Sequence, residues 1–184
     1  METSTREILF TRSVIDERVR EMADQISRDY EGGELVMVGV LKGAFVFMAD
    51  LMRAVRVPCR TDFIRASSYG AEMESSGRIV ITKDIELPVE GCDVLVVDDI
   101  VDTGLTLCHI VDSLRQRNPR SIRVCAFLDK RLRRKTPFEA DYVGFAIDDG
   151  FVVGYGLDFG EQYRSLPDVY VIQAGIMKET GDKP

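Results

Sequence analysis

The segment 94–106 holds the residues with the clearest capacity for chemistry, and it reads VLVVDDIVDTGLT. Its valine-rich start predicts a strand buried on both faces of a parallel sheet, ending where Asp98 and Asp99 begin. A third carboxylate, Asp102, follows within the same short segment. Carboxylates this close repel one another unless cations or hydroxyl groups lie between them. The spacing therefore predicts a site for a ligand that brings hydroxyl groups or a divalent cation.

The turn that follows the acids predicts phosphate binding. Thr103 and Thr106 offer hydroxyl donors, and Gly104 allows a close approach of the backbone. The apolar spacing after the turn predicts a helix, whose N-terminus presents free N–H groups and the positive end of the helix dipole. Each residue taken alone is compatible with ordinary loop or capping roles, but the complete run favours a phosphorylated ligand.

This segment resembles the phosphoribosyl diphosphate (PRPP) binding motif of the type I phosphoribosyltransferases. Four other segments are similar to the branch of that family that acts on hypoxanthine and guanine. The similarity runs from about residue 10 to about residue 173. The four segments read LKG at 41–43, SSY at 67–69, LDKR at 128–131 and FVVGYGLD at 151–158. The resemblance implies an α/β type I phosphoribosyltransferase fold, with a five-stranded parallel core flanked by helices and a small hood subdomain.

The resemblance also implies a reaction of purine salvage. N9 of hypoxanthine or guanine attacks C1′ of PRPP, giving IMP or GMP and pyrophosphate, with Mg²⁺ as the cofactor. Asp102 matches the general base that handles the proton at purine N7; its alternative role is the N-cap of the next helix. PRPP and its 5′-phosphate are assigned to Asp98, Asp99, Asp102, Thr103, Gly104, Leu105 and Thr106.

Two positions depart from the family pattern. Asp98 is one methylene shorter than the glutamate usual at its position, so its contact with the ribose can become water-bridged. Leu105 stands where lysine or asparagine is common, which leaves the backbone N–H but removes a side-chain contact to phosphate.

The remaining matches concern pyrophosphate, metal and base. Pyrophosphate is assigned to Lys42, Gly43, Ser68, Tyr69 and Arg164, and the Leu41–Lys42 peptide bond is often cis in the family. Lys42 could instead be a strand-end lysine, and Arg164 a partner of Asp168 or Glu161. The metal is assigned to Asp98, Asp99 and Asp158.

The purine is assigned to Lys130, Phe151, Val152 and Asp158. Lys130 follows a predicted strand and can donate to O6 of a 6-oxopurine, but it cannot accept from the amino group of adenine. Phe151 matches the aromatic residue that stacks on the base, although it could equally be a core residue. We predict a solvated surface for the basic residues 133–135.

The periodicity predicts alternating helices and strands up to residue 128 and mainly strands after it. We expect a single domain over 1–184, with the N-terminal and C-terminal segments forming the hood. The polar segment 67–77 is too long for a plain connector, which predicts a mobile lid loop.

Composition narrows the class of protein. The chain has 184 residues with 24 basic and 31 acidic side chains, a net charge of −7, which argues against general nucleic-acid binding. No apolar run approaches the ~20 residues of a membrane span, and the polar N-terminus favours the cytoplasm. We expect a homodimer or homotetramer. The alternative function is a non-catalytic RNA-binding regulator on the same fold, supported only by the basic run 130–135.

Overall fold

The computed structural model describes residues 6–68 and 79–172. Three α-helices lie within these ranges: α1 (Arg12–Asp29), α2 (Phe45–Ala54) and α3 (Leu105–Arg115); a 3₁₀ turn follows β6 at Arg131–Arg133. The strands within the same ranges are β1 (Arg6–Phe10), β2 (Leu35–Val40), β3 (Cys59–Ser68), β4 (Ile79–Lys83), β5 (Asp93–Val101), β6 (Ser121–Asp129), β7 (Tyr142–Ala146), β8 (Phe151–Val153) and β9 (Val169–Ile172). None of the described helices is long and apolar enough to cross a bilayer.

The larger sheet has the strand order β4-β3-β2-β5-β6-β7. Its five strands from β3 to β7 in that order pair in parallel, and β4 adds an antiparallel strand at one edge. This confirms the predicted α/β fold with a parallel core. Because all five parallel strands end at the same edge, the loops that follow them are gathered there.

The central strands are buried on both faces, as the valine-rich runs predict. Met37 and Leu95 belong to the core cluster that contains α1 and α2, whereas Val38 and Val96 belong to the cluster that contains α3. The helices therefore cover opposite faces of the sheet, and successive strand residues alternate between the two cores.

Helices α1 and α3 bury the apolar stripes that their spacing predicts. In α1 the buried stripe includes Ile15, Val19, Met22 and Ile26, and in α3 it is Leu107, Ile110, Val111 and Leu114. In α2 two apolar residues lie off the buried stripe, since Phe45 and Met52 are 46% and 39% exposed. The buried residues of α2 are Phe47, Met48 and Leu51, which form the face that rests on the sheet.

The strand β5 is longer than the sequence suggested, and this changes the setting of the acids. We predicted that the strand ends before Asp98, but β5 continues to Val101. The pairing of β5 with β2 stops at Gly39 and Val97, whereas its pairing with β6 continues to Val101 and Asp129. From Asp98 onwards β5 is thus held from one side only, and its other side is open to the loop after β2.

A second, antiparallel sheet has the order β1-β9-β8. It joins the first and last strands of the described chain, with Glu7 opposite Val171 and Val171 opposite Val152. The strands predicted after residue 128 include β8, whereas the sequence predicts neither β1 nor β9. Both are short strands, and they become strands by pairing with segments distant in sequence.

Candidate active site

The acids and the phosphate turn line one cavity of about 240 Å³ at the carboxyl end of the parallel strands. Its walls come from the end of β2, the end of β5 and the turn into α3, including Asp98, Asp99, Asp102 and Thr103. A larger cleft of about 560 Å³ lies between α1 and α2, but its arginines and aspartates pair with one another, as in the Arg56–Asp24 contact. The smaller cavity therefore holds the chemistry that the sequence predicts.

Among the residues that the structure describes, no Lys or Arg lines the cavity beside the adjacent carboxyl groups of Asp98 and Asp99. Asp98 is 7% exposed and accepts a hydrogen bond from the backbone N–H of Asp99 at 3.0 Å. Burial, and then the neighbouring charge of Asp99, raise the pKa of Asp98 well above its usual range. Burial also raises the pKa of Asp99, although less. Two carboxyl groups in this state would be stabilised by a positive ligand.

The raised pKa of Asp98 predicts how stability depends on pH. Above the ordinary carboxyl pKa of about 4, the folded protein binds more protons at Asp98 than the unfolded chain does, so ionisation of Asp98 lowers stability as pH rises. We expect ligand-free Asp98→Asn to have a higher Tm than the parent protein at pH 8, with a difference that shrinks towards pH 5. Thermal unfolding without divalent cations measures this. Asp112→Asn, at an exposed α3 position, is the control, and an equal or lower Tm for Asp98→Asn at pH 8 would contradict the prediction.

The loop after β2 packs directly on these acids. The Leu41–Lys42 peptide bond is cis, as the family resemblance implies. A Cβ atom at Gly43 would lie 1.7 Å from Oδ2 of Asp99, so no residue with a side chain could approach this closely. A Cβ atom at Gly156 would lie 2.3 Å from the carbonyl oxygen of Gly43. Three segments distant in sequence, at 41–43, 98–99 and 154–158, therefore meet at one place.

The two cations assigned to pyrophosphate are linked through one carboxylate, Glu161. Lys42 Nζ lies 2.8 Å from Glu161 Oε1, and Arg164 Nη2 lies 3.3 Å from Glu161 Oε2. Hydrogen bonds from Lys42, and then from Arg164, lower the pKa of Glu161. The sequence predicts Glu161 only as an alternative partner of Arg164. The Asp158-x-x-Glu161-x-x-Arg164 spacing gives no sign of the contact between Glu161 and Lys42.

Arg164 also pairs with Asp158, at 2.8 Å between Nη2 and Oδ1. Its alternative partner, Asp168, instead accepts from the backbone N–H of Arg12 at 2.7 Å and from the hydroxyl of Tyr170. Within residues 6–68 and 79–172 no three side chains of metal-ligand type converge. The structure thus brings Asp98 and Asp99 together but does not join Asp158 to them in one metal cluster.

The donor set still fits a divalent cation at Asp98 and Asp99. Mg²⁺ is commonly held by one or two carboxylates, with substrate phosphates and water completing its shell. Asp98 and Asp99 provide hard oxygen ligands, and a nearby cation would offset the burial that raises the pKa of both. No third protein carboxylate is needed for such a site.

Asp102 does not cap helix α3. The N-cap of α3 is Gly104, at φ +82°, so the alternative assignment of Asp102 as the N-cap is wrong. Among the described residues, Asp102 Oδ1 has no hydrogen-bond donor of good geometry, although Arg133 Nε lies 3.1 Å from it. An acceptor held in the cavity wall without a strong hydrogen bond is available to take a proton from a ligand.

Lys130 and Phe151, which the resemblance assigns to the purine, lie directly after β6 and at the start of β8. Lys130 is 7% exposed and donates from Nζ to the carbonyl oxygen of Gly150 at 2.6 Å. Phe151 is 41% exposed, so the alternative of a core position for it is wrong. Its ring packs edge-to-face with that of Phe159, with the ring centroids 5.4 Å apart. Val152 is buried in β8. A half-exposed aromatic ring beside a buried ammonium group suits a flat, polar heterocycle.

The prediction of a solvated surface at 133–135 is wrong for Arg134 only, since Arg133 and Lys135 are exposed. Arg133 contacts Asp102 and, at 3.3 Å, Asp149. Arg134 has a side chain only 14% exposed and pairs with Asp129. The acids that end the neighbouring strands attract these arginines, which leaves little uncompensated positive charge for a nucleic acid.

Two of the assigned residues fall at or beyond the edge of what the structure describes. Ser68 is the last residue of β3, opposite Ile79 of β4. Tyr69 and most of the predicted lid, from residue 69 to 77, lie outside the described residues.

Comparison with known proteins agrees with this geometry. Residues 8–160 match the family model of the phosphoribosyl transferase domain. The chain is 49% identical to a hypoxanthine-guanine phosphoribosyltransferase of Aquifex aeolicus, over 90% of this chain and 94% of that protein. It is 42% identical to the bifunctional protein TilS/HprT of Listeria monocytogenes over 97% of this chain, and spans 28% of that longer protein.

Among solved structures, a hypoxanthine phosphoribosyltransferase from Staphylococcus aureus superposes with a TM-score of 0.90 at 41% identity, covering 94% of each chain. The range of the family model includes the acids of β5, the turn into α3 and residues 130–158. The chain belongs to the phosphoribosyltransferase family and, within it, to the hypoxanthine-guanine phosphoribosyltransferases.

Proposed function

We propose that the protein salvages purines by transferring the 5-phosphoribosyl group of PRPP to N9 of hypoxanthine or guanine, releasing pyrophosphate and forming IMP or GMP. The observation that carries this proposal is the cavity at the carboxyl end of β5. There, the buried acids Asp98 and Asp99, the carboxylate of Asp102 and the N-terminus of α3 lie within one short segment. This combination suits a sugar that carries both a phosphate and a charged leaving group.

In this reaction Asp102 takes the proton at purine N7. Its Oδ1 atom is buried and accepts no strong hydrogen bond within the described residues, so it can accept one from the base. The turn after Asp102 holds the 5′-phosphate through the backbone N–H groups and hydroxyls of Thr103, Gly104, Leu105 and Thr106. Because the side chain at Leu105 carries no donor, the backbone supplies the contact there.

The base and the leaving group are held on opposite sides of the ribose. Lys130 donates to O6 of the purine and Phe151 stacks on its ring. Val152 supplies backbone contacts to the base, and Asp158 lies near its 2-position. Lys42, Gly43 and Arg164, together with Ser68 and Tyr69, hold pyrophosphate. Pyrophosphate must then replace Glu161 as the partner of Lys42 and Arg164, because all three side chains lie within hydrogen-bond distance.

Asp98 and Asp99 would hold the ribose hydroxyls and Mg²⁺, and Asp158 would be the carboxylate for a metal ion near pyrophosphate. When bound, Mg²⁺ supplies positive charge to the leaving group. Asp98 and Asp99, in turn, orient the ribose so that C1′ faces the base.

A direct assay tests the proposed function. The purified protein is incubated with PRPP, Mg²⁺ and each of hypoxanthine, guanine, xanthine and adenine, and nucleotide formation is followed by chromatography. We expect IMP and GMP, and very little AMP. The absence of any PRPP-dependent nucleotide would overturn the proposal, and the relative rates establish which 6-oxopurine is preferred.

A metal requirement follows from the buried acids. We expect turnover to fall to background in excess chelator and to return when Mg²⁺ or Mn²⁺ is added, since Asp98, Asp99 and pyrophosphate bring negative charge to one place. The measurement is the initial rate against free metal concentration. Full activity in chelator would show that these carboxylates do not serve a metal.

The compartment, the oligomeric state and the domain organisation are part of the proposed function. We propose that it acts in the cytoplasm as a homodimer or homotetramer, as one domain with the sheet β1-β9-β8 as its hood. Sedimentation equilibrium measures the oligomeric state. The RNA-binding alternative has no support in the comparisons, and the basic run that favoured it is largely neutralised by the strand-end acids.

A further inference from the structure

We propose that Arg134 is a positioning residue that aims Asp102 and the phosphate turn at the substrate. The inference deepens the proposed function and rests on it. Arg134 Nη1 donates to the backbone carbonyl oxygen of Asp102 at 3.0 Å, while Nη2 pairs with the carboxylate of Asp129. One largely buried guanidinium therefore joins the end of β6 to the residue that carries the proposed base.

The direction of these hydrogen bonds decides which way the turn faces. In a trans peptide unit the C=O and N–H groups point in opposite directions. The carbonyl of Asp102 points to Arg134, and the carbonyl of Thr103 accepts from the backbone N–H of Lys135 at 3.0 Å and from the hydroxyl of Thr136 at 3.3 Å. The N–H groups that follow these two carbonyls consequently point away from the segment 134–136.

The opposite side of the turn is the cavity. Thr103, Gly104 and Thr106 all line it. The segment 134–136 thus occupies the back of the turn, holds two successive carbonyl oxygens, and leaves their N–H groups to form a concave anion site. Contact at the back is close, because a Cβ atom at Gly104 would lie 2.4 Å from Thr136 Oγ1 and 3.1 Å from Arg134 Cδ.

Asp129 anchors the guanidinium of Arg134 to the end of β6. It is 4% exposed, ends β6, and lies opposite Val101 in the ladder between β5 and β6. Its Oδ2 atom also contacts Arg131 Nε at 3.1 Å, but that side chain is 73% exposed. The desolvation of both charges offsets much of the attraction in a buried ion pair, so its contribution to stability is small, and its geometry is what it offers here.

A lysine at 134 could neutralise Asp129 but could not hold both acceptors in the fixed geometry of a guanidinium. Arg131 offers a matched control, because it pairs with the same carboxylate from the solvent side. The variants are therefore Arg134→Lys and Arg134→Met, with Arg131→Lys and Arg131→Met beside them. The lysine variant at 134 keeps the charge and serves if the methionine variant does not fold.

Steady-state kinetics and a binding measurement test the proposal. For Arg134→Lys we expect kcat/KM for PRPP to fall by up to about 100-fold, the size that a small misplacement of reacting groups costs, with KM for hypoxanthine changed less than about threefold. Calorimetric binding of ribose 5-phosphate, without any purine, should weaken in parallel. The two Arg131 variants should behave like the parent enzyme in both measurements.

Two results would overturn the proposal. Equal losses at Arg131 and Arg134 would show that neutralising Asp129, not aiming the turn, is what matters. A rise in KM for hypoxanthine as large as that for PRPP would show a general distortion of the site. Failure of the proposed function is separate, since it would appear as an inactive parent enzyme, while ribose 5-phosphate binding still compares Arg134 with Arg131.

Discussion

Replacing Asp102 with asparagine is expected to lower kcat by about 10²–10⁴-fold, the usual contribution of a general acid–base group. The amide has the same shape as the carboxylate but cannot take the proton from purine N7. Because the backbone carbonyl that binds Arg134 is unchanged, the turn keeps its geometry. The PRPP dissociation constant should therefore stay close to that of the parent enzyme.

Single-turnover kinetics with PRPP prebound separates the chemical step from binding in this experiment. Asp149→Asn is a matched control, because Asp149 also contacts Arg133 but is 69% exposed and lies outside the cavity. We expect that control to react at the parent rate. Near-normal turnover in Asp102→Asn would reject Asp102 as the base.

The second large effect is expected at Lys130. Its ammonium group is buried and donates to the carbonyl oxygen of Gly150, beside the proposed purine site. Losing a charged hydrogen bond to O6 costs about 1.5–3 kcal/mol, so Lys130→Ala should raise KM for hypoxanthine by roughly 10- to 100-fold. The KM for PRPP should change far less.

Base competition measures this selectivity. In the parent enzyme adenine should compete very poorly with hypoxanthine, because its amino group meets a donor where an acceptor is needed. Lys135→Ala, at an exposed position of the same basic run, is the control and should keep the parent KM values. Strong competition by adenine in the parent enzyme would show that Lys130 does not read position 6.

The sequence predicted those parts of the site that depend on local order. The segment of β5, its turn and α3 could be recognised because their residue types and spacing occur within one short run. The burial of Ile15 and Ile110 likewise follows from helical periodicity. Lys130 was separated from its basic neighbours because it directly follows a predicted strand.

What the sequence did not predict depends on partners distant along the chain. The end of β5 is set by its ladder with β6, which continues past Asp98 to Val101. Arg134 resembles any other surface arginine until folding brings Asp129 and the carbonyl of Asp102 beside it. The strands β1 and β9 exist through their mutual pairing, and short segments carry little signal of such pairing.

The ladder between β5 and β6 fixes the distance between the two strand ends that carry the residues proposed for the base and for the 5′-phosphate. The backbone N–H of Lys130 donates to the carbonyl oxygen of Val101 at 2.9 Å, so the residues proposed for the base and for the 5′-phosphate begin on neighbouring strands, about 4.8 Å apart. Those strands cannot slide, because a slip of one residue would turn every buried side chain to the opposite face. The sheet itself sets the separation between the base end and the phosphate end of the product. Substrates of different size can therefore be accommodated only by movement of the loops.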